Sequence, residues 1–230
     1  MSKKGNNRDR LEPDYFARVT AIIGLAVGVM AIIIPIWHEH QNEQERLSVW
    51  MRVNQNDIVL IPNNRKKSTV IQIPWLFTLS NTGKVKLSII GYDILKIESG
   101  GLSRFPNLVG PVNNIDGTPI ELPITLDAGE SKTIRIYLGF RAEPIVLEKL
   151  YELYKRSGAF TVNESFKYLA KFGLTIYGGK AEYKNIYGGL QISIDSDFYQ
   201  REPVYRVEFH TGRGNRFYIQ GSETISRFSS

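Results

Sequence analysis

Residues 69–97 read TVIQIPWLFTLSNTGKVKLSIIGYDILKI. Two runs rich in β-branched and aromatic residues flank the tetrapeptide Asn81-Thr82-Gly83-Lys84. Trp75, Phe77 and Leu79 alternate toward one face, which is the two-residue period of a strand. Pro74 marks an edge, a bulge or a break, because proline cannot donate to a strand ladder. Gly83 is free to take positive φ, so the tetrapeptide is a turn signal. The simplest reading joins the two runs as a β-hairpin over 75–94 in a mainly β domain.

Working outward, the same period recurs. LSVWMRV (47–53) puts Leu47, Val49, Met51 and Val53 on one side, and DIVLIP (57–62) is a second short apolar run. Residues 98–119 are dense in Gly, Pro, Asn and Ser, and read as a long surface loop. PIELPITL (119–126) and KTIRIYLGF (132–140) read as strands around DAGES (127–131). Ile134, Ile136 and Leu138 join Trp75, Phe77 and Leu79 as core candidates. LTIYG (174–178), LQISI (190–194), VYRVEFH (204–210) and RFYIQG (216–221) return to strands. The last two flank TGRGN (211–215) as a hairpin.

Between these strands the period changes. EPIVLEKLYELYKRSG (143–158) spaces Leu147, Leu150, Tyr151 and Tyr154 for a helix. Pro144 suits its first turn and Gly158 its stop. TVNESFKYLAKFG (161–173) is a second short helix, with Asn163 as the candidate cap and Gly173 at its end.

The segments LSNTGKVKLSIIGYDI and LDAGESKTIRIYLGF resemble immunoglobulin-like accessory repeats. In those modules an Asn-Thr-Gly turn joins two strands and a Gly-Glu-Ser turn precedes a strand that pairs across the sandwich. Asn81-Thr82-Gly83 and Gly129-Glu130-Ser131 match, while Ala128 stands where the family usually has proline. The resemblance covers roughly residues 69–140. It implies a β-sandwich used for spacing or recognition, and carries over no catalytic residue. The fold expected is therefore an immunoglobulin-like β-sandwich with a two-helix insertion at 143–173, preceded by one N-terminal transmembrane helix.

That helix is read from VTAIIGLAVGVMAIIIPIWH (19–38). Val19–Trp37 contains no charge, and at ~1.5 Å per residue it nearly covers a hydrocarbon core of ~30 Å. Trp37 at one end, and Tyr15 and Phe16 at the other, suit the membrane interfaces. Pro35 falls in the last turn of the apolar run. The run is longer than the apolar region of a cleaved signal, and PIWHEHQNE lacks a small-x-small cleavage pattern, so an uncleaved signal anchor is expected. Lys3, Lys4, Arg8, Arg10 and Arg18 precede the run, and only Arg46 and Arg52 follow closely. The excess of positive charge places residues 1–18 in the cytoplasm as a basic tail. Residues 38–46 become a linker, 47–225 an extracytoplasmic domain and 226–230 a tail. Thr20, Gly24 and Gly28 form a small-residue stripe on which a second copy of the helix can pack.

The chemistry is spare. The 230 residues include no cysteine, which excludes disulfides, thiol catalysis and thiolate metal sites. The net charge of +6 is spread along the chain and argues for solubility rather than nucleic-acid binding. No phosphate-loop, dinucleotide or metalloprotease motif occurs, so no cofactor is expected. His38 and His40 flank Glu39 as an interfacial polar patch, and His210 stands in a strand without an acid-and-nucleophile set. Asp195, Asp197 and Glu202 are weak candidates for a divalent cation, read more simply as a solvated turn. The leading expectation is a non-catalytic interaction or scaffold module. Its partners are the lipid bilayer and a protein, or a second copy through the membrane helix. The alternatives are an anchored hydrolase or carbohydrate-active enzyme, which needs convergent carboxylates, and a small-ligand or cation-binding protein. If the helical insertion carries the contact, Tyr151, Tyr154 and Tyr168 are its candidates.

Overall fold

The computed structural model describes residues 12–42, 44–62, 68–98, 101–103, 109–186, 189–194, 201–222 and 226–228. Two compact units divide the chain, residues 1–44 and 45–230. In the first, the described residues form helix α1, Glu12–Asn42. Its Tyr15–Trp37 segment, with a mean hydropathy of 2.6, is long and apolar enough to cross a membrane. The helix extends past both ends of the apolar run, so Pro35 lies inside it rather than in its last turn.

Among the described residues the second unit is mainly β, built from two large antiparallel sheets, a separate two-stranded ladder and two further helices. The first sheet contains β1 (Leu47–Val53), β2 (Val70–Asn81), β7 (Ser131–Arg141) and β5 (Val109–Asn114), in that spatial order. The second contains β12 (Ser226–Phe228), β11 (Arg216–Gly221), β10 (Val204–Thr211), β3 (Leu87–Glu98) and β4 (Gly101–Ser103). β6 (Ile124–Leu126) pairs with the other end of β3. The inner faces share one core. Trp75 on β2 meets Tyr205 on β10 edge-on at 5.8 Å between ring centroids, and Phe77 meets Phe209 at 6.0 Å. The Tyr205 hydroxyl donates across the core to the Gly139 carbonyl at 2.9 Å, and burial pushes that phenol's pKa up. All six core candidates are buried.

The expected hairpin over 75–94 is not formed. β2 pairs with β1 and β7, whereas β3 pairs with β10, so the Asn81 turn carries the chain from one sheet to the other. The two-residue period is the same in either arrangement, because both strands point one face at the same core. The corner is held by Asn81, which is buried. Its side-chain amide donates to the carbonyls of Val85 at 2.8 Å and Leu126 at 3.1 Å, and its side-chain oxygen accepts from the Gly83 N–H at 3.0 Å. Its backbone N–H donates to Glu130, and its carbonyl accepts from Gly129, both at 2.9 Å. The two turn motifs of the sequence therefore meet at one residue. Gly129 sits at φ +78°, in the left-handed region that favours glycine.

Other elements depart from the sequence reading. The 98–119 stretch contains β4 and β5 rather than loop alone, and Ser226–Phe228 pairs with β11 instead of trailing as a tail. Of the apolar run 119–126, only Ile124–Leu126 is a strand. Leu174–Gly178 is a turn closed by Leu174 and Lys180, and the adjacent strands are β8 (Ala181–Ile186) and β9 (Gly189–Ile194). The hairpin of β10 and β11 forms as expected, with Tyr205 opposite Gly221 and His210 opposite Arg216.

α2 (Pro144–Ser157) and α3 (Val162–Ala170) occupy the expected insertion. The second helix is capped by Thr161, not Asn163. The Thr161 hydroxyl accepts from the Glu164 N–H, and the Glu164 carboxylate accepts from the Thr161 N–H, a reciprocal capping box. That spacing, Thr-x-x-Glu, puts the cap two residues earlier than the asparagine does. Val146, Leu147, Leu150, Val162 and Leu169 are buried in the common core, so the insertion closes part of the domain.

Candidate recognition surfaces

The helical insertion presents a seam between α2 and α3. Tyr168 lies on α3 and Phe172 in the turn that follows it, and their rings meet at 5.2 Å. Lys149 lies over Phe172 at 4.7 Å and Arg156 over Tyr168 at 5.9 Å. Lys149 also donates to Glu152 at 2.9 Å, which holds that carboxyl below its usual range, and the Tyr168 hydroxyl donates to Glu152 at 3.3 Å. Aromatic and charged groups here satisfy one another across the two helices. Of the three tyrosines singled out by the sequence, Tyr151 is half-buried and donates to the Pro62 carbonyl, and Tyr168 belongs to the seam. Only Tyr154 is exposed, at 50%. Tyr151 and Tyr168 thus have structural work, and the set does not form one surface.

The outer face of the second sheet carries an ionic row. Arg206 on β10 pairs with Glu208 at 2.8 Å and lies over the Tyr218 ring at 4.0 Å. His210 Nε2 lies 3.3 Å from Asp93 Oδ2 on β3. The sequence reading left His210 without an acid; the pairing of β3 with β10 supplies one from 117 positions away in the chain. Directly across from His210 stand Gly91 and Arg216, neither of them a nucleophile. The contacts that join strands on this half-buried face are Arg206 over the Tyr218 ring of β11 and His210 beside Asp93 of β3.

A second buried polar group ties the domain's first residue to its last hairpin. The Glu45 carboxylate is buried and accepts from the Thr211 hydroxyl and from the Asn215 side-chain amide at 2.9 Å. Glu202 is also buried, which removes it from the solvated turn expected for it. Asp195 and Asp197 lie outside the described residues. Among the described residues no group of three or more His, Asp or Glu could hold a metal ion. On α1, the Thr20 hydroxyl donates to the Phe16 and Ala17 carbonyls of its own helix, and side chains added at Gly24 or Gly28 would meet nothing. The side chains of His38 and His40 lie outside the described set.

The surface the sequence reading missed is the outer face of the first sheet. Trp50 on β1 is 40% exposed, and the Arg52 guanidinium lies over its ring at 5.1 Å. The register sets Trp50 opposite Thr78, which is opposite Thr133; the next row is Ser48, Ser80 and Ser131. Thr78 and Thr133 share a hydroxyl–hydroxyl bond at 3.0 Å, and Ser131 donates to Ser80 at 2.8 Å. At the other end, Arg135 pairs with Asp57 and lies over Tyr137. The signal was present in LSVWMRV: an outward Trp at i and Arg at i+2 inside an otherwise regular strand.

The chain matches no family model, no curated protein and no solved structure.

Proposed function

We propose that this protein is a single-pass, membrane-anchored recognition module whose two sheets form an immunoglobulin-like sandwich. The observation that carries the reading is the strand order. β1-β2-β7-β5 opposite β11-β10-β3 has the pairing of an immunoglobulin constant-type domain, A-B-E-D opposite G-F-C. The Asn81 turn is then the B-to-C crossing, and α2, α3, β8 and β9 form an insertion between E and F. Folds of this kind host many functions, so the site must supply the rest. The site offered is the Trp50–Arg52 pair, because exposed Trp and Arg are the residue types that dominate binding energy at interfaces. α1 serves as the anchor in this reading, and the excess of positive residues preceding it supports a domain outside the cytoplasm.

The test is extraction of the full-length protein from its native membrane in mild detergent, beside the Trp50→Ala variant. Trp50 lies outside the core, so the variant should keep its melting temperature. The wild type should retain a bound component that the variant loses. Equal recovery from both proteins would remove this face as the recognition surface.

A further inference from the structure

We propose that the outer face of the first sheet binds a neutral saccharide, with one sugar ring stacked on the free face of Trp50. The proposal rests on the recognition reading above and names its ligand. Arg52, two residues on along β1, covers one face of the indole. The neighbour on the other side along the strand, Ser48, is small and exposed, which gives the second face room for a ring. Below that face runs the row Ser48, Ser80 and Ser131, three adjacent strands wide, with the Thr78–Thr133 pair in the row of Trp50 itself.

Each hydroxyl carries one donor and two acceptor sites. The Ser131–Ser80 bond uses one donor of its pair, and the Thr78–Thr133 bond does the same. Each pair therefore keeps a second O–H and unused lone pairs. Strands lie ~4.8 Å apart, so these groups form a spaced array of mixed donors and acceptors. A sugar has the matching chemistry: hydroxyls that both donate and accept around its rim, and an apolar C–H face that covers an aromatic ring. The five hydroxyl residues are uncharged and the Arg52 guanidinium is engaged on the opposite indole face, so the floor itself matches a neutral ring. A peptide anchor seeks an apolar pocket, which this floor of hydroxyls does not provide, and a peptide added as a strand would pair along the edge of β1 rather than lie on the hydroxyl row.

The experiment uses the full chain in phospholipid nanodiscs, since glycoside detergents would themselves present sugars. Soluble gluco-, manno- and N-acetylglucosamine hexaoses are titrated to millimolar concentration, and the indole N–H resonances are followed by NMR. At least one oligosaccharide should move the Trp50 resonance while leaving that of buried Trp75 in place. Trp50→Ala should abolish binding, and Ser80→Val should weaken it several-fold, both with unchanged melting temperature. Failure of all three oligosaccharides to move Trp50, or binding that persists in Trp50→Ala, overturns the proposal. If none binds but Trp50→Ala still releases a component during extraction, the saccharide falls and the recognition surface stands. If neither effect occurs, both fall.

Discussion

Trp75→Ala should lower the unfolding free energy of the domain by about 3–5 kcal/mol, the usual cost of deleting a large buried aromatic. Trp75 is fully buried in the middle of β2 and meets Tyr205 edge-on, so its ring joins one sheet to the other. Its indole N–H has no hydrogen-bond partner among the described residues. The residue therefore contributes as apolar volume, against the cost of a desolvated donor. Trp75→Phe, which keeps most of the volume and removes that donor, should cost less than half as much as the alanine variant. Urea unfolding of the full chain in micelles measures both. A loss below about 1 kcal/mol for the alanine variant would place the ring outside the core.

Asn81→Ala should cost about as much through a different mechanism. It leaves two carbonyls and one N–H at the sheet-to-sheet corner without partners, each at roughly 1–3 kcal/mol when buried. Asn81→Asp separates shape from chemistry. The aspartate fits the same space but points a carboxylate oxygen at the Val85 and Leu126 carbonyls, acceptor against acceptor. It should be at least as damaging as alanine under the same urea titration. Near-native stability for the aspartate variant would mean that the side chain is not the donor holding the corner.

Local period made the strands and helices legible, while pairing escaped it. Trp75, Phe77, Leu79, Ile134, Ile136 and Leu138 could be assigned to the core because burial on one face leaves a two-residue mark in the sequence. Whether the Asn81 turn folds a strand back beside its neighbour or sends it to the opposite sheet leaves no such mark. The discriminating groups are the Val85 and Leu126 carbonyls, the second of them 45 residues away. The same reason hid Asp93 from His210, since their contact exists only through the register of β3 on β10. Thr161 is legible in the sequence as well, since Thr-x-x-Glu is a stronger start signal than a lone asparagine. Trp50 was visible as an outward residue in a strand. Its surroundings were not, because the hydroxyl row under it comes from three strands spread over residues 48–133.

The central proposal is that α1 anchors the chain and leaves the domain outside the cytoplasm. Fusing a reporter after Ser230 in the intact chain tests that claim most directly. One fusion carries a phosphatase active only after export, the other a fluorescent protein that matures only in the cytoplasm. Five Lys/Arg before the span against two close behind it predict an active phosphatase and a dark fluorescent protein, with the chain in the membrane fraction. A bright cytoplasmic fusion beside an inactive phosphatase would contradict the account.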